Sequence, residues 1–270
     1  MRLNKYLSEA GICSRREADR IIGDGRVTVD GKTAVPGMQV EENSCVCMDG
    51  KLVELQERKV VLLFHKPKGV ECTADPKVKK NVISYIHYPV RVTYAGRLDK
   101  DSEGLLLLTN RGDLINQIMK AGNFHEKEYL VEVDKKVTDD FLEKMAQGVP
   151  ILGTVTRKCR VERAGDRKFK IVLTQGLNRQ IRRMCSYFDY EVVKLTRIRI
   201  MNLELGDLPK GSFREAGKEE IETLENLLRE GKNNRRQEEF LGGKPVKNAG
   251  KYRIPENRKK KGKRKQRRFL

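Results

Sequence analysis

The run Leu105–Leu108, four leucines behind Gly104 and the acidic loop Asp99-Lys-Asp-Ser-Glu103, constrains this 270-residue chain more than any other segment. Four apolar residues bounded by loop residues read as a buried strand, and Gly104 frees the backbone where loop becomes strand. Asp99, at the mouth of that apolar wall, is placed for chemistry. Burial tunes a carboxylate's protonation and nucleophilicity, provided that a cation elsewhere in the fold pairs with it. Acidic turns before core strands are also ordinary, so the rest of the sequence must supply the cation.

Charge narrows the partners. A formal net charge of +19 favours a polyanion, because Lys and Arg release counterions from a phosphate backbone. Residues 232–270 carry 16 Lys/Arg against 3 Asp/Glu, so only +6 of the excess lies elsewhere. Apolar residues thin out from about Gly231, and nine of the eleven residues from Arg258 to Arg268 are basic. Such a segment buries too little surface to offset its ordering entropy, and residues 231–270 are expected to be a disordered basic tail.

Six cysteines without C-x-x-C spacing and three histidines indicate no metal site. Cys45 and Cys47 are expected to be buried or idle thiols on one strand face, and reduced thiols suit the cytosol. The N-terminus lacks an apolar leader, and the runs Val60–Phe64 and Leu105–Leu108 are too short to span a bilayer. A soluble cytoplasmic monomer without membrane contact is expected.

Leu3, Tyr6, Leu7 and Ala10 share one helical face, Gly11 stops that helix, and Ser14 caps a second one holding Ala18, Ile21 and Ile22. Asp30-Gly31 then signals a hairpin. Arg2, Lys5, Arg15, Arg16 and Arg20 decorate the helix pair; charged helix surfaces are commonly just solvated. A charged connector, Gln56–Lys59, sets a boundary near residue 58 and gives three units: 1–58, 59–230 and 231–270. In the second unit strand patterns at Val60–Phe64, Glu128–Val133, Val155–Val161, Phe169–Thr174 and Glu191–Leu205 mix with helical patterns at Leu114–Lys120, Thr138–Gln147 and Arg179–Phe188. Without regular alternation, this predicts an α+β fold with a mostly antiparallel mixed sheet.

Two further segments could complete a site around Asp99. Tyr129, at the start of a strand, offers a ring to face a planar base and a hydroxyl for proton transfer. Gly176-Leu-Asn-Arg-Gln-Ile-Arg-Arg-Met184 turns from a strand into a helix and presents Arg179, Arg182 and Arg183. His65, His87 and His125 lack triad or metal spacing and are read as structural. Lys66-Pro-Lys-Gly69 is read as a turn.

These motifs, Gly96-Arg-Leu-Asp99, the Tyr129 strand and Gln180-Ile-Arg182, resemble in order those of the pseudouridine synthases. The helix–helix–hairpin module ahead of them resembles an S4 RNA-binding domain over about Met1–Cys47. Together they are similar to the S4-bearing RsuA/RluB/RluE/RluF family over about Met1–Leu228. The segments Ala121–Val131, Gly148–Thr156 and Gly176–Cys185 look like its F-type branch, which acts on large-subunit ribosomal RNA. The resemblance implies Asp99 as the catalytic carboxylate, Tyr129 as the active-site tyrosine and Arg182 as the ion-pair partner of Asp99. It also implies Arg97 filling the gap left by an extruded nucleotide. Arg2, Lys5, Arg15, Arg16, Arg20, Arg179 and Arg183 are candidate RNA contacts.

The implied reaction isomerises uridine to pseudouridine without net redox change, so no cofactor is expected. The implied partner is 23S rRNA, with tRNA as a second candidate. Other readings stay open: a non-catalytic S4-type RNA-binding or ribosome-assembly protein, a synthase acting on 16S rRNA or tRNA, or a glycosidase pairing Asp99 with Asp101 or Glu103. The last is disfavoured, because carboxylates so close on one loop seldom face each other across a sugar.

Overall fold

The structure, a computed structural model, describes residues 1–120 and 124–240, with backbone alone for 231–240. Residues 1–52 form α1 (Leu3–Glu9), α2 (Arg15–Gly23), β1 (Val27–Val29), β2 (Lys32–Thr33), β3 (Val46–Met48) and β4 (Lys51–Leu52). The Ser14 hydroxyl accepts from Glu17 N–H as the α2 cap, and Gly11 stands at φ +83°, as the sequence predicts. Asp30 and Gly31 both take positive φ in the β1–β2 turn. The four strands pair as β2-β1-β3-β4. Their inner face packs on Leu3, Leu7, Ala18 and Ile22 in a core of its own. Cys45 is exposed rather than buried, with its Sγ 4.0 Å from that of Cys47.

The larger unit continues with β5 (Val61–Lys66), α3 (Val82–Ile86), β6 (Thr93–Ala95), β7 (Glu103–Thr109), α4 (Gly112–Met119), β8 (Lys127–Val133) and α5 (Asp139–Ala146). A hairpin follows, β9 (Pro150–Ile151) and β10 (Thr154–Val155), then β11 (Arg160–Gly165), β12 (Lys168–Leu173) and α6 (Gln180–Tyr187). The chain ends in β13 (Val192–Ile200), β14 (Leu203–Glu204), β15 (Phe213–Glu215) and α7 (Lys218–Phe240). Two extended spans are shorter than the pattern predicts. Val155–Val161 is broken between β10 and β11, and Glu191–Leu205 turns at Met201, which has φ +51°.

Seven strands pair in the order β11-β12-β8-β13-β7-β5-β15, with β14 on β13 and β6 on β7. Among the described strands of this sheet, only β7–β13 is parallel. The leucine run is unbroken because both faces of β7 are covered. Leu105 and Leu107 pack with α4 and α7 residues, and Leu106 and Leu108 pack with Val82 and Ile86 of α3.

The tail is expected to start at 231, but α7 runs to Phe240. Residues 232–240 lack Pro and Gly and are rich in Lys, Arg, Gln and Glu, which continue a helix readily. The basic run 258–268 lies outside the described residues, as do Ala121–Asn123 of the motif ahead of Tyr129.

Candidate active site

A cleft of about 670 Å³ opens over the β7–β13 junction, lined among others by Arg97, Asp99, Tyr129, Arg179, Gln175 and Arg197. Its position follows from the one parallel pairing. Register places Arg197 opposite Gly104, and a Cβ on Gly104, where φ is +110°, would stand 2.3 Å from the Arg197 carbonyl oxygen. Glycine alone lets the two strands approach this closely at the point where the Gly96–Ser102 loop enters the sheet.

That loop is tied on several sides. Gly69 N–H donates to Lys100 O at 2.7 Å, Ser102 N–H to Asp99 O at 3.1 Å, and the Lys100 ammonium stands 2.7 Å from the Glu71 carboxylate. Lys66, fully buried, donates its ammonium to Pro67 O and Val70 O, and so shapes the turn as the sequence suggests. Burial depresses the Lys66 pKa, with Asp101 and Asp99 among the charges opposing that shift.

The Asp99 side chain is about one third exposed. Its nearest cation is Arg179, with Nη1 3.7 Å from Oδ2, and not Arg182. Arg179 spends its fork on Asp101, at 3.1 and 3.0 Å, while Arg182 stands with Nε 3.4 Å from Asp101 Oδ2. Arg182 also donates to Asp101 O, Ser102 Oγ and Val192 O, which anchors the loop from beneath.

The expected Arg182–Asp99 pair is therefore corrected. Arg182 sits inside the first turn of α6 and points under the loop, whereas Arg179 precedes the helix in a left-handed conformation and reaches over it. Left-handed backbone at a non-glycine residue costs of order 1 kcal/mol, held here by the bidentate pair. The Arg179 fork holds the Asp101 carboxyl below its usual range against the opposing effect of burial, so Asp101 stays ionised.

Tyr129 is half-buried and packs against two of the three cores of the sheet, so its ring lies at their seam. Lys127, two residues earlier, lines the same cleft, as alternation along a strand requires. Burial, then the neighbouring Arg197, push the Lys127 ammonium down to about 8.

Arg197 is 2% exposed and clamps both ends of the loop, donating Nε–H to Leu105 O at 2.7 Å and Nη1–H to Arg97 O at 3.5 Å. The sequence reading passed over Lys127, Gln175 and Arg197. A signal existed for Arg197, since it shares the inward phase of β13 with buried Leu195. Gln175, in the turn after β12, carries none.

The other expected residues are dispersed. Arg97 is exposed at the cleft, and Arg183 borders a separate groove with Leu152 and Tyr187. Arg2, Lys5, Arg15, Arg16 and Arg20 lie in or beside α1 and α2, away from Asp99; Arg15 lines a groove between α2 and the larger unit. Lys5 pairs with Glu9 and Arg20 with Glu17. Burial raises the Cys159 thiol to about 11 and Cys185 to about 12, which leaves both inert. The described residues hold no cluster able to bind a metal ion, and no described helix is long and apolar enough to cross a membrane.

Residues 60–187 match the family model described as RNA pseudouridylate synthase, and residues 1–44 match the S4 domain. A Salmonella typhi protein named dual-specificity RNA pseudouridine synthase RluF is 51% identical over 229 residues, covering 84% of this chain and 79% of the relative. The Bacillus subtilis ribosomal large subunit pseudouridine synthase B is 34% identical over 241 residues, covering 86% and 98%. A crystal structure of a pseudouridylate synthase aligns with TM-score 0.61 at 27% identity, over 83% of this chain and 99% of that chain.

Proposed function

The chain belongs to the RNA pseudouridylate synthase family, and we propose that it isomerises a uridine of 23S ribosomal RNA with Asp99 as the catalytic carboxylate. The observation that carries this reading is the placement of a solvent-accessible carboxylate, Asp99, and a phenol, Tyr129, in one cleft ringed by Arg97, Arg179 and Arg197. Asp101 holds the Arg179 fork and does not line the cleft, which leaves Asp99 as the loop carboxylate facing a substrate.

In the proposed reaction the uridine leaves its stack and enters the cleft, a step that costs a few kcal/mol, offset by phosphate contacts. The bond from uracil N1 to ribose C1′ breaks, the ring turns, and C5 bonds to C1′. C5 then loses its proton and N1 gains one, so atoms and charge balance. Asp99 acts on the sugar or the base as an anion, Tyr129 faces the ring and takes part in the proton transfer, and Arg97 takes the place of the extruded nucleotide. Arg179 and Arg182 position the loop through Asp101. Basic residues of α1 and α2 and the C-terminal charge contact RNA backbone. The work is done in the cytoplasm by a monomer.

The words "dual-specificity" in the name of the Salmonella relative support a second RNA substrate, for which tRNA is the candidate. Pseudouridine mapping in cells lacking this chain tests the reading. Loss of at least one 23S modification is expected, with loss of a tRNA modification if the second specificity holds. Unchanged 23S maps would reject the assignment.

Lys127 gives a pH signature. With its pKa at about 8, it is a cation below that value and neutral above it, so the cleft loses positive charge as pH rises. RNA affinity is expected to fall through pH ~8. Lys127→Met should flatten this fall and reduce the slope of log affinity against log salt by about 0.7–0.9. Filter binding across pH and salt checks both.

A further inference from the structure

A second groove, of about 440 Å³, lies between the β9–β10 hairpin and α6, and Arg179 lines both this groove and the cleft. Thr154 pairs with Ile151, so Leu152 and Gly153 form a two-residue turn, with φ of +50° and +74°. Such a turn favours Asn or Asp ahead of Gly, and a leucine in left-handed backbone is strained there. Leu152 is also 52% exposed, so its side chain is unfavourably hydrated as well. Across the groove Tyr187, in the last turn of α6, is 54% exposed. Its ring stands edge-on to Phe188 at 5.1 Å, and Phe188 in turn meets the buried Phe141. Arg179 and Arg182 share one carboxylate, that of Asp101, while the exposed Arg183 bonds only Asn178 and meets no carboxylate among the described residues. No acidic side chain is among the described residues that line the groove, so its wall is net positive.

We infer that this groove receives an unpaired nucleotide of the RNA substrate that flanks the reacting uridine, its base packed on the Tyr187 ring and Leu152. This rests on the reading that uridine reacts at Asp99. Charge and shape select the occupant: an exposed aromatic ring and an apolar side chain beside unneutralised arginine suit a base with its phosphate. Continuity supports it as well. Arg179 Nη1 lies 3.7 Å from Asp99 Oδ2, so an RNA strand leaving the cleft enters the groove across a single side chain. Extruding the target uridine also unstacks its neighbours. A neighbour that lands on Tyr187 regains a stacking surface, which offsets part of that cost and gives the strained Leu152 a function.

The test uses the full-length chain and an unmodified 23S rRNA transcript labelled with tritium at uracil C5, with kcat and KM separated. Tyr187→Leu keeps apolar bulk and loses the flat ring, so KM should rise about ten-fold while kcat moves about two-fold or less. Tyr187→Phe keeps the ring, and its KM should stay within about two-fold of wild type. Stacking is not ionic, so the KM ratio of Tyr187→Leu to wild type should be the same at about 50 and about 200 mM salt. Leu152→Asn supplies the residue that the turn favours, so Tm should hold or rise, whereas KM should rise about three-fold as the apolar contact is lost.

A KM unmoved in either Tyr187→Leu or Leu152→Asn would overturn the proposal and turn the groove to a protein partner. Equal losses by Tyr187→Leu and Tyr187→Phe, or a KM ratio that vanishes at the higher salt, would overturn it too, because neither is the behaviour of a stacked base. Turnover of the transcript by the wild type is the control on the underlying reading. Its absence would reject that reading and the groove's role with it, whereas turnover with KM indifferent to these variants rejects the groove assignment alone.

Discussion

Asp99→Asn should abolish pseudouridine formation, with single-turnover rates down by at least ~10³-fold, while RNA binding is retained. The substitution is isosteric and removes only the charge. Whether the carboxylate attacks the sugar, attacks the base or removes a ribose proton, each route needs the anion. Affinity should hold or tighten slightly, because deleting a negative charge from a cleft lined by Arg97, Arg179 and Arg197 removes no phosphate contact.

Release of tritium from RNA labelled at uracil C5 measures the chemistry, since that position loses its hydrogen in the reaction. Normal release by the variant would reject Asp99 as the catalytic group. Asp101→Asn separates the two carboxylates of the loop. It strands the cation of Arg182 beneath the loop and frees Arg179 above it, so it should cost stability and loop order, with a smaller loss of rate than Asp99→Asn.

Gly104→Ala should destabilise the protein by roughly 4 kcal/mol or more, a loss of roughly 10 °C in Tm, or prevent folding altogether. The added Cβ would lie 2.3 Å from the Arg197 carbonyl oxygen and 2.5 Å from its nitrogen, both backbone atoms that cannot swing aside. The φ of +110° adds strain of its own. Gly153→Ala is the contrast: its φ is +74°, but the new Cβ would meet nothing within 4 Å, so only the conformational cost of about 1 kcal/mol applies. Thermal melts of the two variants distinguish steric from conformational strain. Similar shifts would mean that the β7–β13 approach is not the close contact described above.

The same comparison shows how far local pattern reaches. The strand at Leu105–Leu108, the Ser14 cap, the Asp30-Gly31 turn and the helices near Leu114 and Arg179 are legible because each is fixed by neighbours within a few residues. The α7 extension was missed because low apolar content argues against a packed core but says little against a helix built from good helix formers. The cation partner of Asp99 was misassigned for a geometric reason. Arg179, Arg182 and Arg183 are equivalent as charges in the sequence. The start of α6 at Gln180 sends Arg179 over the loop and Arg182 beneath it.

What the sequence determined by itself is the inventory and its order: an acidic loop before a buried strand, a tyrosine strand, an arginine-rich turn into a helix, and a basic helical module in front. These follow from chain-local rules of periodicity, capping and turn chemistry. The tertiary structure alone decided which side chains meet. Strands about ninety residues apart, β7 and β13, lie in parallel contact because Gly104 permits it, and that contact brings Arg197 to the loop, while the start of α6 hands Asp101 to two arginines. Pairing of distant strands depends on the summed packing of whole faces, which no short window of sequence contains.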